Sequence, residues 1–262
     1  MFNNFRQFLR EHIPASLSLK VIQMLDGRGN TLSHLLYGPA TYNQDGLLTA
    51  HNADFMQEPR FAAAYKAGKQ TGSWPFGDIH WRVYILCWAA NRAVSLPGDF
   101  VECGVNRGGF ALTITKYVNF ETLPKNFYLL DTFEGLVEKY ISPEEHARGI
   151  RPGGYEECYS AVQKTFAPYP NIKIIKGVVP ETLPLVEAEQ ISFLSIDMNT
   201  RDPEIAAAEF FWDKLVSGAI MIVDDYGWRK HYEQKIAFDE FARYRGVQVL
   251  PLPTGQGLIF KP

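Results

Sequence analysis

Apolar runs of strand length alternate with stretches of helical periodicity from about Asp99 to the end of the sequence. This alternation is typical of a parallel sheet whose strands are connected by helices. The last two apolar runs have no helix between them and indicate a closing hairpin. The pattern therefore predicts an α/β fold with seven strands, at residues 100–104, 127–131, 172–176, 191–197, 219–224, 247–252 and 257–260.

Three segments have the periodicity of amphipathic helices. The clearest covers residues 203–216, where Asp202 is the predicted N-terminal cap. A second covers residues 234–244 and ends at Gly246, a residue type that often caps a helix C-terminus. The third covers residues 78–94 and precedes a Leu-Pro-Gly break. We predict two parts: a helical extension and lid at residues 1–97, and a ligand-binding domain at residues 98–262.

The composition restricts the class of protein and of ligand. The chain has 262 residues, is 46% hydrophobic and carries a formal charge of −3, which fits a globular protein and disfavours a nucleic-acid-binding surface. Charges interrupt the N-terminal stretch, and no run of about 18 apolar residues occurs, so we predict neither a signal peptide nor a membrane span. Three cysteines without disulfide or zinc spacing fit a reducing compartment. We expect a cytoplasmic protein that acts on a small molecule.

The first predicted strand runs into a glycine-rich turn, VECGVNRGG at residues 101–109. Open parallel sheets bind ligands beyond the carboxyl ends of their strands, and glycine lets the backbone approach a ligand closely. The dinucleotide fingerprint G-x-G-x-x-G is broken at Asn106, and Glu102 would repel a pyrophosphate. A carboxylate there suits the ammonium and sulfonium charges of S-adenosylmethionine, although a tight turn without a ligand is an alternative. The candidate cofactor contacts in this turn are Glu102, Gly104, Val105, Asn106 and Gly108.

The second predicted strand ends at Asp131, followed by Thr132 and Phe133. An aspartate at this position can accept hydrogen bonds from both hydroxyls of a ribose, and Phe133 is placed to stack on a base. We therefore add Asp131, Thr132 and Phe133 to the candidate cofactor contacts. The alternative is that Asp131 caps a turn.

Acidic residues end the fourth and fifth predicted strands: Asp197 follows one, and Asp224 and Asp225 follow the other. If these strands are neighbours, about 4.8 Å apart, the three carboxylates share a small space. Such a cluster either takes up protons or holds a cation, and hard oxygen ligands favour Mg²⁺ or Mn²⁺ over zinc. The alternative is that these aspartates cap turns or the following helix.

Together these segments resemble the family of macrocin-, mycinamicin- and novobiocin-type sugar O-methyltransferases. The resemblance implies a class I, Rossmann-like methyltransferase fold with strand order 3-2-1-4-5-7-6 and helices on both faces. It also implies S-adenosylmethionine as the methyl donor, a required Mg²⁺ held by Asp197, Asp224 and Asp225, a ribose contact at Asp131, and a homo-oligomer. The matching pieces are GDFVECGVNRGG, FYLLDTFEGL, ISFLSIDMN, FFWDKLVSGAIMIVDDYG and LPTGQGLIFKP.

One position departs from the family pattern. Members that act on antibiotic sugars carry an aspartate, proposed as general base, two residues after the first metal ligand, and this chain has Asn199 there. An amide cannot take a proton at neutral pH. His231 is our candidate base because it follows the DDYG motif and imidazole titrates near neutrality, although an ordinary surface histidine is the alternative. With Asp197 and Asn199 it forms the predicted catalytic group; Arg82 and Lys230 are possible substrate contacts that also have ordinary structural explanations.

We therefore predict an O-methyltransferase that moves a methyl group from S-adenosylmethionine to a hydroxyl of a sugar or polyol-bearing small molecule. A catechol or other phenol would offer similar oxygens to the metal and is an alternative acceptor. A nicotinamide-dependent oxidoreductase on the same sheet is a second alternative, which Glu102 and Asn106 disfavour. A noncatalytic protein that binds the cofactor without a metal is the third.

Overall fold

A computed structural model of the chain describes residues 40–75 and 77–262. Residues 56–262 form one compact unit. Residues 40–55 contain a short antiparallel hairpin of β1 (Tyr42–Gln44) and β2 (Leu47–Thr49). Its turn is Asp45-Gly46, both with positive φ, the backbone conformation that a two-residue hairpin turn of type I′ requires. The first 39 residues of the predicted extension lie outside the described residues.

A seven-stranded sheet forms the centre of the compact unit, with the spatial order β5-β4-β3-β6-β7-β9-β8. The strands β3 to β7 pair in parallel, and β9 is antiparallel to both of its neighbours. When the sheet strands alone are counted along the chain, this order is the predicted 3-2-1-4-5-7-6. The strands are β3 (Asp99–Cys103), β4 (Phe127–Asp131), β5 (Ile172–Lys176), β6 (Ile191–Ile196), β7 (Leu215–Val223), β8 (Val249–Pro251) and β9 (Gly257–Phe260).

Helices cover both faces of this sheet, as predicted. One hydrophobic cluster includes Phe211 and Phe238 from the last two helices, and a second includes Leu86, Ile114 and Val162 from helices on the other face. The apolar side chains of the strands alternate between these two clusters, which is how a parallel sheet buries both faces. The helices are α1 (Pro59–Lys69), α2 (His80–Ala93), α3 (Gly109–Val118), α4 (Pro143–Ala147), α5 (Tyr159–Phe166), α6 (Arg201–Trp212) and α7 (Tyr232–Arg245).

The predicted helix at residues 203–216 differs from α6 at both ends. Its N-cap is Thr200, and Asp202 lies in the first turn, where an acidic side chain faces the positive end of the helix dipole. The helix ends at Trp212 because Leu215 pairs with Ile191 in the β6–β7 ladder. The predicted cap at the end of α7 is confirmed: Gly246 has a φ of 68°, in the left-handed region.

Helices α1 and α2 precede the predicted boundary at residue 97 but belong to the compact unit. Helix α1 packs closely on α3: a Cβ on Gly68 would lie 1.9 Å from Thr113 Oγ1 and 2.6 Å from the Gly109 carbonyl oxygen. The predicted boundary therefore falls inside a continuous core. Within residues 40–75 and 77–262, no helix has the length and apolar character needed to cross a lipid bilayer.

Candidate active site

The strand order reverses between β3 and β6, and the glycine-rich turn leaves the sheet at this point. The backbone N–H of Asp197 donates to the Cys103 carbonyl at 2.8 Å, so the two strand ends are held side by side. Gly104 has a φ of 91°, and a Cβ there would lie 1.8 Å from the Asp197 carbonyl oxygen. We predicted that these glycines leave space for a ligand, but at Gly104 the space is taken by the neighbouring strand. At Gly108 it is taken by the ring of Phe166, 2.6 Å from the hypothetical Cβ.

Glu102 is buried one residue before the end of β3, with 1% of its surface exposed. Neither of its carboxyl oxygens has a hydrogen-bond partner among the described residues. Burial raises its pKa well above the usual range, and the nearby carboxylates of Asp131 and Asp224 add to this shift. A buried carboxyl without donors is costly, and a cationic ligand group would supply both the donors and the charge. Glu102 therefore fits its predicted role toward the charges of S-adenosylmethionine.

Asp131 and Phe133 have other roles in the structure than those we predicted. The Asp131 carboxylate accepts hydrogen bonds from the backbone N–H of Val105 at 2.6 Å, Asn106 at 2.7 Å and Phe133 at 2.6 Å. It therefore caps the turn, which was the alternative, and a ribose would have to share it. Phe133 is only 1% exposed and packs against Tyr159, so its ring is not available to stack on a base.

The two turns beside the cofactor end are stabilised by their own polar groups. Thr132 Oγ1 donates to the Gly135 carbonyl at 2.8 Å, which closes the turn after β4. Ser73, from the segment between α1 and α2, accepts from the Gly109 N–H at 2.9 Å through its hydroxyl. The Asn106 side chain donates to the Ser73 carbonyl at 3.5 Å. The segment around Ser73 therefore lies on the glycine-rich turn, a contact that sequence reasoning did not identify.

The three predicted metal-site aspartates come together beyond the ends of β6 and β7. These strands are parallel neighbours, and the Asp224 N–H donates to the Ile196 carbonyl at 3.0 Å. Burial raises the pKa of Asp197 well above its usual range, and repulsion by Asp224 and Asp225 raises it further. Ionised Asp197 is therefore disfavoured here unless a cation offsets the burial and the neighbouring carboxylates.

Arg82 of α2 supplies a positive charge to this cluster. It is 4% exposed, and its guanidinium donates to the Asp224 carboxylate, to the Asp224 carbonyl at 3.1 Å and to the Thr254 carbonyl at 2.9 Å. It also lies 3.9 Å from Asp225 Oδ1. Gln256 Nε2 donates to the other oxygen of Asp224 at 3.0 Å. Asp224 is thus held from both sides by groups that the sequence analysis did not assign to it.

A sequence signal for this role of Arg82 does exist. It lies on the apolar stripe of its helix, between Ile79 and Leu86 and beside Val83. A charged side chain on a buried helix face is rare unless it is paired. Such a position predicts a buried acidic partner, although not which one.

The donor chemistry of the aspartate cluster fits a divalent cation, but the ligands are not arranged as a formed site. Three carboxylates face one guanidinium, and carboxylate oxygen is what Mg²⁺ and Mn²⁺ prefer. Among residues 40–75 and 77–262, however, no three His, Cys, Asp or Glu side chains are placed to hold an ion. Each oxygen of Asp224 already accepts one hydrogen bond, from Arg82 or from Gln256, so an ion would share this carboxylate with them.

Asn199, which replaces the aspartate of the family pattern, lies beside Asp197. Its Nδ2 donates to Asp197 Oδ1 at 3.1 Å, and its backbone has a φ of 58°. Glu204, in the first turn of α6, holds this strand tip: its Oε1 accepts from the N–H of Met198 and of Asn199, each at 2.9 Å. Burial and the nearby Asp225 raise the pKa of Glu204 to about 8. Sequence reasoning missed Glu204, although an acid in the first helical turn after a strand tip is a typical capping signal.

His231 lies inside the site and is 9% exposed, so it is not an ordinary surface histidine. Its Nε2 lies 3.7 Å from Asp225 Oδ2. Burial lowers its pKa, and the adjacent Lys230 lowers it further, while the Asn199 backbone and Gln234 act in the opposite direction. The imidazole is therefore neutral at neutral pH and able to accept a proton.

A cavity of about 250 Å³ opens beside these residues. Tyr155 is part of its wall, and burial together with the charges of Asp197 and Asp225 raises the pKa of the phenol, which places the hydroxyl near the acidic cluster. The cavity is therefore the candidate acceptor site. It is lined by Leu136, Gly149, Ile150, Arg151, Gly153, Gly154, Tyr155, Asn199, Lys230 and His231.

Comparison with known families shows which protein family the chain belongs to. The family described as Macrocin-O-methyltransferase (TylF) matches residues 83–252, which is more than half of the chain. This chain belongs to the macrocin O-methyltransferase family. The match includes β3 to β8 and all three clustered aspartates, and it confirms the resemblance predicted from the motifs.

Relatives of this macrocin-type chain are distant in sequence. The 8-demethyl-8-(2,3-dimethoxy-alpha-L-rhamnosyl)-tetracenomycin-C 4'-O-methyltransferase of Streptomyces olivaceus is 23% identical over 151 residues, which cover 53% of this chain and 57% of that relative. The solved structure of the O-methyltransferase NovP has a TM-score of 0.62 at 19% identity, covering 69% of this chain and 79% of its own. An O-methyltransferase from Bacillus cereus in complex with SAH has a TM-score of 0.52 at 10% identity, with coverages of 79% and 96%. At these identities the structures show the fold alone, and the predicted Rossmann-like methyltransferase fold is confirmed.

Proposed function

We propose that this chain is an S-adenosylmethionine-dependent O-methyltransferase that methylates a hydroxyl of a sugar-bearing small molecule. The observation that carries the proposal is the buried carboxyl of Glu102, which has no hydrogen-bond partner among the described residues at the point where the strand order reverses. A cationic cofactor group would favour the ionised form of this carboxyl, whereas the pyrophosphate of a nicotinamide cofactor would repel it. The sugar acceptor is supported by family membership and by the rhamnosyl substrate in the name of the Streptomyces relative.

The chain's own residues account for the acid–base part of the reaction. Bound S-adenosylmethionine would supply the electrophilic methyl group, as the SAH-bound Bacillus cereus neighbour suggests. Glu102 would fix the cationic end of the cofactor. The neutral imidazole of His231 would take the proton of the acceptor hydroxyl, and Asp225, whose Oδ2 is 3.7 Å from Nε2, would stabilise the imidazolium that forms. The hydroxyl of Tyr155 and the amide of Asn199 would orient the acceptor in the cavity.

We include Mg²⁺ or Mn²⁺ in the proposal, held by Asp197, Asp224 and Asp225. Burial and the repulsion by Asp224 and Asp225 raise the pKa of Asp197, and a bound cation would offset both effects, which supports the ion. The ion would act as a Lewis acid toward the acceptor oxygen, and to bind it Asp224 would have to be shared with Arg82. Electron paramagnetic resonance of Mn²⁺ titrated with the protein tests this directly, with Asp225→Asn expected to weaken binding. Full methyl transfer in EDTA, or Mn²⁺ binding unchanged in Asp225→Asn, would contradict the metal.

Cofactor binding is the first experiment. Calorimetry with S-adenosylmethionine and SAH should show binding to the wild type and at least about tenfold weaker binding to Glu102→Gln, because the lost interaction is between charged groups. Glu187→Gln, an exposed position in the segment before β6, is the matched control and should bind normally. Absence of binding to the wild type would refute the proposed function.

Methyl transfer is the second experiment. Transfer of labelled methyl groups to glycosides should exceed transfer to catechol, the phenolic alternative, because the family match and the Streptomyces relative favour a sugar acceptor. His231→Gln should lower the rate by about 10² or more, the range typical of a lost general base, while SAH binding stays intact. Wild-type rates in His231→Gln would assign the base elsewhere.

The remaining expectations are part of this proposal. We propose a homo-oligomer and a cytoplasmic location, on the basis of the family resemblance and the composition. We also propose that residues 98–262 carry the cofactor site, while α1 and α2 complete the same compact unit. Light scattering of the purified chain measures the oligomeric state.

A further inference from the structure

The candidate acceptor cavity has a basic wall. Its charged lining side chains are Arg151 and Lys230, and no acidic side chain lines it. Within the described residues neither forms an ion pair with an aspartate or glutamate, although the chain as a whole has a formal charge of −3. Both side chains are exposed at the cavity, and two cations there without an acidic ion-pair partner favour an anionic ligand.

The two cations are held by different elements. Arg151 follows α4, and its Nη1 donates to the carbonyls of His146 and Ile150, each at 2.6 Å, which fixes the direction of the guanidinium. Lys230 lies in the single turn of 3-10 helix at Arg229–His231, directly before α7. The two elements approach each other only through the fold, so the pair is a property of the cavity and not of a basic sequence run.

Other residues of the cavity lining contact carboxylates. Asn199, which lines the cavity, is bonded to Asp197 at 3.1 Å, and His231, which also lines it, is 3.7 Å from Asp225. The lining therefore combines groups suited to a hydroxyl, Asn199 and His231, with two cations suited to an anion. A neutral glycoside would leave Arg151 and Lys230 without a counter-charge, whereas a phosphate offers the several oxygens that guanidinium and ammonium groups bind.

We propose that the acceptor is an anionic sugar, bearing a phosphate or diphosphate that binds between Arg151 and Lys230 while its hydroxyl lies at Asn199 and His231. This inference rests on the proposed function for the role of the cavity, but anion binding can be measured without methyl transfer. It narrows the substrate class from any sugar-bearing molecule to sugar phosphates and nucleotide-linked sugars.

The experiment uses inorganic phosphate and pyrophosphate as probes, with calorimetry on the full chain at constant ionic strength in EDTA. We expect pyrophosphate to bind the wild type and to bind roughly tenfold more weakly in each of Arg151→Gln and Lys230→Gln, with a larger loss in the double variant. Lys164→Gln, in α5 outside the cavity lining, is the matched control and should match the wild type. SAH affinity should be unchanged in every variant, which shows that the fold and cofactor site are intact.

Pyrophosphate binding that fails in the wild type, or that persists unchanged in the double variant, would overturn the inference. Preference for phosphate over pyrophosphate would support a sugar phosphate, and the reverse preference a nucleotide-linked sugar. The SAH titration distinguishes a failure of the proposed function from a failure of the charged-acceptor inference. If the wild type does not bind SAH, the proposed function is refuted. If it binds SAH but not pyrophosphate, only the charged acceptor is refuted.

Discussion

Replacement of Arg82 by methionine tests whether the buried guanidinium neutralises the aspartate cluster. The side chains of Arg82 and Asp224 are 5% and 6% exposed, so the pair is shielded from solvent. Arg82→Met keeps most of the aliphatic stem but removes the charge and the donors to Asp224 and Thr254. Gln256 still donates to Asp224, but an amide carries no charge to offset the carboxylate.

The expected loss is large because one charge of a buried pair would remain without its partner. Breaking a buried ion pair in this way costs about 3–5 kcal/mol. This is a substantial part of the roughly 5–15 kcal/mol by which domains are stable. The double variant Arg82→Met with Asp224→Asn should recover part of the loss, since residues in direct contact couple by roughly 0.5–3 kcal/mol.

Urea unfolding followed by circular dichroism, in EDTA so that no metal contributes, measures these free energies. Lys235→Gln is the matched control, because its ion pair with Asp239 is 38% and 43% exposed and should be worth less than about 1 kcal/mol. The reasoning fails if Arg82→Met unfolds within about 1 kcal/mol of the wild type. It also fails if the effects of the two single variants simply add, because an additive cycle means that the two side chains do not interact.

Three further outcomes follow from the packing and polar contacts of the site. Gly104→Ala should prevent stable folding, because its Cβ would lie 1.8 Å from the Asp197 carbonyl oxygen. The control Gly149→Ala has open space around the new Cβ and should fold, at only the modest cost of its positive φ. Equal melting temperatures of the two variants would contradict this. Asn199→Asp replaces a hydrogen-bond donor to Asp197 with a fourth carboxylate, so it should lower the free energy of unfolding in EDTA by about 1–3 kcal/mol and strengthen Mn²⁺ binding. An unchanged urea-unfolding curve would refute this. All three cysteines are buried, which raises their pKa values. Ellman's reagent should therefore label them slowly in the native protein and rapidly in urea, and rapid labelling of any thiol in the native protein would contradict their burial.

The sheet could be predicted almost completely because its strands are apolar on both faces. Runs of apolar residues bounded by polar ones identified β4, β5 and β9 to the residue. The start of β7 was missed because Leu215-Val216 also continues the apolar stripe of α6, and only the pairing of Leu215 with Ile191 decides between helix and strand. Periodicity alone cannot resolve such a boundary.

The candidate site could be predicted where a residue ends a strand, since strand ends converge at one edge of a parallel sheet. Glu102, Asp197 and Asp224 were found in this way. Phe133 was misplaced because its φ of 57° turns the ring into the core, and neither a backbone dihedral nor burial can be read from a motif. Lys230 was named as a possible substrate contact, but its pairing with Arg151 could not be predicted, because the two residues are far apart in the chain.

The neighbours of Asp224 show why a family motif alone does not determine the state of an acidic cluster. The family match covers residues 83–252, so it includes all three aspartates but excludes Arg82 on one side and Thr254 and Gln256 on the other. These flanking residues supply the buried charge and the hydrogen bonds that hold Asp224. Transferring a metal site from the motif therefore assigns the negative charges correctly but omits a resident positive charge. Any divalent ion that binds here must compete with that guanidinium for Asp224, so metal affinity in this chain depends on Arg82, which lies one residue before the matched segment.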